Sequence, residues 1–124
     1  MVVFSNHRLG PSAELLVSQD VASAMLRETA ASARSSAEGR WERELVAWLD
    51  DQAHDPETLD VGDIAWTPDH FESQQRFLVD AILGASAGSE HEGALRRWAH
   101  QIETHPRDSV RFGRRWIWQR AAHA

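Results

Sequence analysis

Residues 60–83 read DVGDIAWTPDHFESQQRFLVDAIL, and the organisation of the chain follows from them. Thr67-Pro68-Asp69 predicts a helix start. A threonine hydroxyl can accept from a free N–H of the first turn, and proline sits there without losing a bonded N–H. The aspartate adds negative charge at the positive end of the helix dipole. Stepping about 100° per residue from Phe71 brings Leu78, Ala81, Ile82 and Ala85 onto one side. Phe77 and Val79 widen that side to well over half the circumference, leaving Ser73, Arg76, Asp80 and Gly84 as a narrow polar stripe. A helix apolar over so much of its surface is covered from several directions, so this one is predicted to be the central element.

Working outward, residues 54–66 form the longest connection, with turn chemistry at Asp55-Pro56 and Val61-Gly62-Asp63. Before it, Trp41, Leu45, Trp48 and Leu49 recur at i, i+4, i+7 and i+8, which predicts an amphipathic helix to about Ala53. Ser35-Ser36-Ala37-Glu38 matches a capping box and places the start near Ser36. Val21, Met25, Thr29 and Ala33 stripe an earlier helix over 19–34. At the N-terminus, Val2-Val3-Phe4 and Leu15-Leu16-Val17 flank Gly10-Pro11-Ser12, which reads as a hairpin. The rival for 1–18 is a helix opening at Ser12.

Beyond the central helix, Ser89-Glu90-His91-Glu92 is a second capping box. It opens a helix to about Thr104 with Leu95, Trp98, Ala99 and Ile102 on its face, and His105-Pro106 stops it. Residues 109–119 then alternate, with Val110, Phe112, Trp116 and Trp118 on even positions, which predicts a C-terminal strand. The fold expected is a single α+β domain over 1–124, helix-dominated. About four helices pack on a small antiparallel sheet formed by the N-terminal hairpin and the C-terminal strand.

Composition narrows the chemistry. Cys, Lys and Tyr do not occur in the 124 residues, which removes disulfides, cysteine nucleophiles and lysine Schiff bases. No apolar run reaches the ~20 residues needed to span a bilayer, and the N-terminus has no signal pattern, so a soluble cytoplasmic protein is expected. The net charge of −6 is unevenly divided. Residues 1–93 carry 6 Arg against 17 acids (−11), and residues 94–124 carry 7 Arg against 2 acids (+5).

The chain has neither H-E-x-x-H, G-x-S-x-G nor a Gly-rich phosphate loop, so no metal, cofactor or catalytic residue is assigned and the reading leans away from an enzyme. Asp63, Trp66, His70 and Gln74 are candidates for a small-ligand or hydrolytic site between the central helix and the 60–66 loop. The competing role for Gln74 and Gln75 is to tie that loop down, because buried amides must find partners. Arg111, Arg114, Arg115, Trp116 and Trp118 mix guanidinium and indole as single-strand nucleic-acid surfaces do. Alternate Trp on a strand more often packs inward, and the acidic body repels nucleic acid. The expectation is therefore a non-catalytic protein-interaction module. Its acidic surface would meet a partner protein of basic character, or a second copy of the chain, and no membrane.

Overall fold

The computed structural model describes residues 1–106. Two strands open the chain, β1 (Val2–Ser5) and β2 (Leu15–Val17), joined through a 3-10 turn over Pro11–Ala13. They pair antiparallel with Val3 opposite Leu16, which is the predicted hairpin. Val2 and Phe4 face the core while Leu16 lies 56% exposed, as the two-residue period of a half-covered sheet requires.

Two helices follow, α1 (Gln19–Arg34) and α2 (Arg40–His54). Ser18 caps α1 by accepting from the Val21 N–H. The predicted capping box at Ser35–Glu38 does not start α2. Gly39 does, with its N–H donating to the Glu42 carboxylate at 2.8 Å. Ser35 and Ser36 are instead spent on α1, their hydroxyls donating to the Ser32 and Ala33 carbonyls at its C-terminal end.

The chain then forms β3 (Leu59–Asp60), which pairs parallel with β1, Phe4 opposite Leu59 and Ser5 opposite Asp60. The sheet is therefore mixed, ordered β2-β1-β3, and the third strand comes from the long connection. A parallel partner needs a crossover, and α1 with α2 supplies it. The strand predicted over 109–119 lies outside the described residues.

The central helix is α3 (Phe71–Ser86). Leu78 and Ile82 are fully buried, Phe71 and Ala81 nearly so, and Ser73, Arg76, Asp80 and Gly84 lie on the surface as the wheel predicts. It packs on α1 and on α4 (Glu92–Glu103), and Phe77 reaches α2 through an edge contact with Trp41 at 5.6 Å. A Cβ at Gly84 would stand 2.7 Å from Ser32 Oγ, so α3 lies against the α1 side chain at a point where it carries none of its own. The helix starts later than predicted. Thr67–His70 is a turn closed by the His70 N–H on the Thr67 carbonyl, and Thr67 Oγ1 is buried with no hydrogen-bond partner among the described residues. The described residues form a helix-dominated α+β fold of four helices on a small sheet, the class expected.

The second box at Ser89 does not form: His91 precedes the first turn of α4 without a side-chain cap, and the Glu92 carboxylate accepts from Arg96. Ser89 Oγ accepts from the His91 N–H at the turn entering α4, and the hydroxyl itself donates to Glu28 of α1. Trp98 of α4 meets Phe4 of β1 edge to face at 5.1 Å, which joins helix layer to sheet.

Truncating the centre of this core should be costly. Leu78→Ala and Ile82→Ala are each expected to lower stability by about 2–5 kcal/mol, the range for buried aliphatic deletions. Asp80→Ala on the exposed stripe should cost well under ~1 kcal/mol. Chemical denaturation of the three variants checks the rotation of α3, since equal losses would mean that the helix is turned from its stated face.

Candidate functional site

Polar side chains gather where β1 ends, and Asp60 is their common acceptor. Its Oδ1 accepts from Ser5 Oγ at 2.9 Å and from the His7 N–H at 3.1 Å. Its Oδ2 accepts from the Gly62 N–H and lies against His7 Nδ1, both at 2.9 Å. The carboxylate partner assigns the proton to His7 Nδ1. Burial raises the Asp60 pKa. The bonds from Gly62, His7 and Ser5, with the charge of His7, outweigh it and hold the carboxyl below the ordinary 3.8.

A histidine held by a carboxylate is the orienting half of a hydrolytic triad. The nucleophile is not arranged to complete it. Ser5 Oγ donates to Asp60 Oδ1, on the other carboxylate oxygen from His7 Nδ1, instead of passing a proton to the imidazole. The four donors fix backbone: Asp60 locks the end of β1 to β3 and caps the 3-10 turn Val61–Asp63.

That turn leads into the rest of the connection, which is pinned at each step. Trp66 is buried, its Nε1–H donating to the Val61 carbonyl at 2.9 Å, and its ring meets Phe71 edge to face. Gln74, 2% exposed on α3, accepts from the Thr67 N–H with Oε1 and donates to the Ala65 carbonyl with Nε2. The loop-tying role expected of Gln74 is the one it has. Gln75 goes elsewhere. Its Nε2 donates to the carbonyls of Ile102, Glu103 and His105 and closes the end of α4.

Of the predicted site residues, Trp66 and Gln74 face inward and hold the connection. Asp63 is exposed at the end of the 3-10 turn, and His70 is exposed and stacks on Trp41 at 5.7 Å. Arg111, Arg114, Arg115, Trp116 and Trp118 lie outside the described residues. Among the described residues, no group of three His, Asp or Glu side chains could hold a metal ion, and no helix is long and apolar enough to cross a membrane.

Sequence reading missed Asp60, His7 and His105. The first two are bonded across 53 positions of sequence, and only the turn signal at Val61-Gly62 hinted that an Asx cap would precede it. His105, read as a helix stop, is 1% exposed and lies against Trp66, the rings 6.4 Å apart and 23° from parallel. Neither ring nitrogen has a hydrogen-bond partner among the described residues.

Along the sequence, the connection that carries Asp60 is acidic, while Arg34 pairs with Asp50 and Arg40 with Glu44 at its α2 side. Between Arg43 and Arg76 there is no Arg, and nine acids occur: Glu44, Asp50, Asp51, Asp55, Glu57, Asp60, Asp63, Asp69 and Glu72. Asp51, Asp55, Glu57, Asp63, Asp69 and Glu72 are exposed. Comparison of the chain with protein-family models, curated proteins and solved structures gives no match.

The buried imidazole gives a pH dependence of definite sign. Burial pushes His105 below its ordinary 6.5; the Asp60 charge draws it back up, and His7 and Arg8 push it down again. With the folded pKa below the unfolded one, the unfolded chain binds more protons in that interval, so stability rises with pH. The contribution is complete above 6.5 and declines as pH falls from there toward the folded value. Asp60 adds a separate loss that begins as pH falls below the ordinary 3.8 and runs down through its lowered folded value. His105→Phe keeps the ring stack and has nothing to protonate. Melting temperatures between neutral pH and the onset of the Asp60 loss should fall less in this variant than in the wild type. Parallel curves would contradict the buried neutral imidazole.

Proposed function

We propose that this chain is a non-catalytic interaction module that binds a basic partner protein through the acidic surface between α2 and α3. The observation that carries the reading is the coincidence of charge and rigidity over residues 44–75. Nine carboxylates and no basic Arg occupy a stretch whose backbone is held by Asp60, Trp66 and Gln74. A surface ordered before binding loses little conformational entropy on association, and uniform sign steers an oppositely charged partner. The half-buried Trp41, stacked on His70 beside this stretch, offers the kind of aromatic anchor that interfaces favour. A cytoplasmic setting belongs to the same reading and fits a chain without cysteine.

The test uses the full chain and a fluorescent Arg-rich peptide. Joint replacement Asp51→Asn, Glu57→Gln and Asp69→Asn should weaken binding about tenfold, roughly 1.4 kcal/mol, at unchanged melting temperature. A control neutralises three acids elsewhere, Asp20, Glu38 and Asp80, and should cost distinctly less. Equal losses in the two triple variants would mean that net charge alone attracts the peptide. Tighter binding to single-stranded DNA than to the peptide at physiological salt would contradict the reading outright.

A further inference from the structure

Among the described residues, His105 is the one buried side chain that titrates near neutral pH. It closes a junction of three elements. Its ring lies along the Trp66 indole of the connection, 23° from parallel. Its carbonyl accepts from Gln75 Nε2 of α3 at 2.9 Å, and its N–H donates to the Ile102 carbonyl of α4 at 3.2 Å. Trp66 in turn sits between Asp63 and Asp69, two of the exposed acids of the connection.

A ring so placed favours the neutral imidazole. Imidazolium carries two N–H donors, and a charge buried without acceptors is costly. Neither ring nitrogen has a hydrogen-bond partner among the described residues. The indole face attracts a cation, but a ring lying nearly parallel to it aims neither N–H at it. The charged groups that face the ring are His7 and Arg8 from the end of β1 and Asp60 from the connection; α3 presents the uncharged Gln75 amide. Burial holds the imidazole below its ordinary 6.5 against the pull of Asp60, whose own bonds go to Ser5, His7 and Gly62.

The way out is short. Swinging His105 outward breaks its N–H bond to Ile102 and the bond it accepts from Gln75. Gln75 keeps the Ile102 and Glu103 carbonyls, and the Thr104 N–H still donates to the His100 carbonyl, so α4 survives the movement. Trp66 loses the ring that lies against it.

We propose that His105 is a pH-operated latch: protonation drives its ring out of the junction, uncovers Trp66 and loosens the part of the connection that carries Asp63 and Asp69, with the helices intact. Above 6.5 the ring is neutral and the latch is closed; it opens as pH falls through the lowered folded value. The opening stands on the geometry of the junction. Its consequence, release of a basic partner in acid, rests on the partner surface proposed above, since only closed molecules present that surface in order.

Nuclear magnetic resonance titration of the full chain, from neutral pH down to the ordinary 3.8 of the Asp60 carboxyl, tests the latch. The Trp66 indole N–H and the amides of Thr67 and His105 should shift or broaden with the midpoint of the His105 ring, while the amides of Leu26 and Ala30 in α1 stay unchanged. His105→Phe should abolish the response, and His7→Gln, which removes the other imidazole at the junction, should keep it. A Trp66 response that persists in His105→Phe or vanishes in His7→Gln would overturn the latch. So would a wild-type ring that titrates while Trp66 stays still, or α1 amides that change at the same midpoint, and neither of these readings needs a variant. Affinity for the Arg-rich peptide should fall about tenfold per pH unit below the ring midpoint in the wild type and hold in His105→Phe. A peptide that fails to bind at neutral pH sinks the partner surface, while the Trp66 response would still uphold the latch.

Discussion

One carboxylate decides where the long connection goes. A chain leaving α2 has many ways to reach α3, and residues 55–70 contain only two residues of regular strand. Asp60 selects one route by accepting from Ser5, His7 and Gly62 at once. Those donors come from the end of β1 and from the next turn, so a single side chain fixes register, strand pairing and turn geometry together. Carboxylates with this many donors hold their charge, which is why Asp60 stays ionised below the ordinary range.

Downstream of Asp60 the same logic is repeated with neutral amides. Gln74 fixes 65–67, Gln75 closes the end of α4, and Gln101 joins α4 to the β1 and Ala13 carbonyls. Asn6 adds a bond from Nδ2 to the Gln101 carbonyl. In a low-dielectric interior such bonds are costly to break and specify one arrangement of the elements. Apolar contacts such as Phe4 on Trp98 hold the layers together, and the amides settle how the loops run between them.

The sequence shows the helices more readily than the loops because helical periodicity is local. The α3 wheel, the Trp41–Leu49 stripe and the hairpin all depend on residues within a few turns of one another. Helix starts were harder to place. Ser36 and Thr67 carry the right side chains, but Gly39 and His70 precede the observed first turns: the Ser36 hydroxyl donates to the Ala33 carbonyl at the end of α1, and the Thr67 N–H goes to Gln74. The third strand was out of reach. Leu59-Asp60 is too short to show a period, and it pairs with β1 across more than fifty residues. Of the candidate site, Trp66 and Gln74 were legible as anchors of the loop, whereas the donors that gather on Asp60 are defined by space alone. The acidic stretch is the reverse case, since charge can be counted without knowing the fold.

What joins fold to function is the claim that Asp60 orders the backbone on which that acidic surface is carried. Native-state hydrogen exchange, residue by residue, in the wild type and Asp60→Ala tests it most directly. The account predicts that the amides of His7, Gly62, Ile64 and Trp66 lose protection in the variant while those inside α1 and α3 keep theirs. Unchanged protection at Gly62 and Trp66 would contradict it, because the connection would then be ordered by its apolar anchors alone.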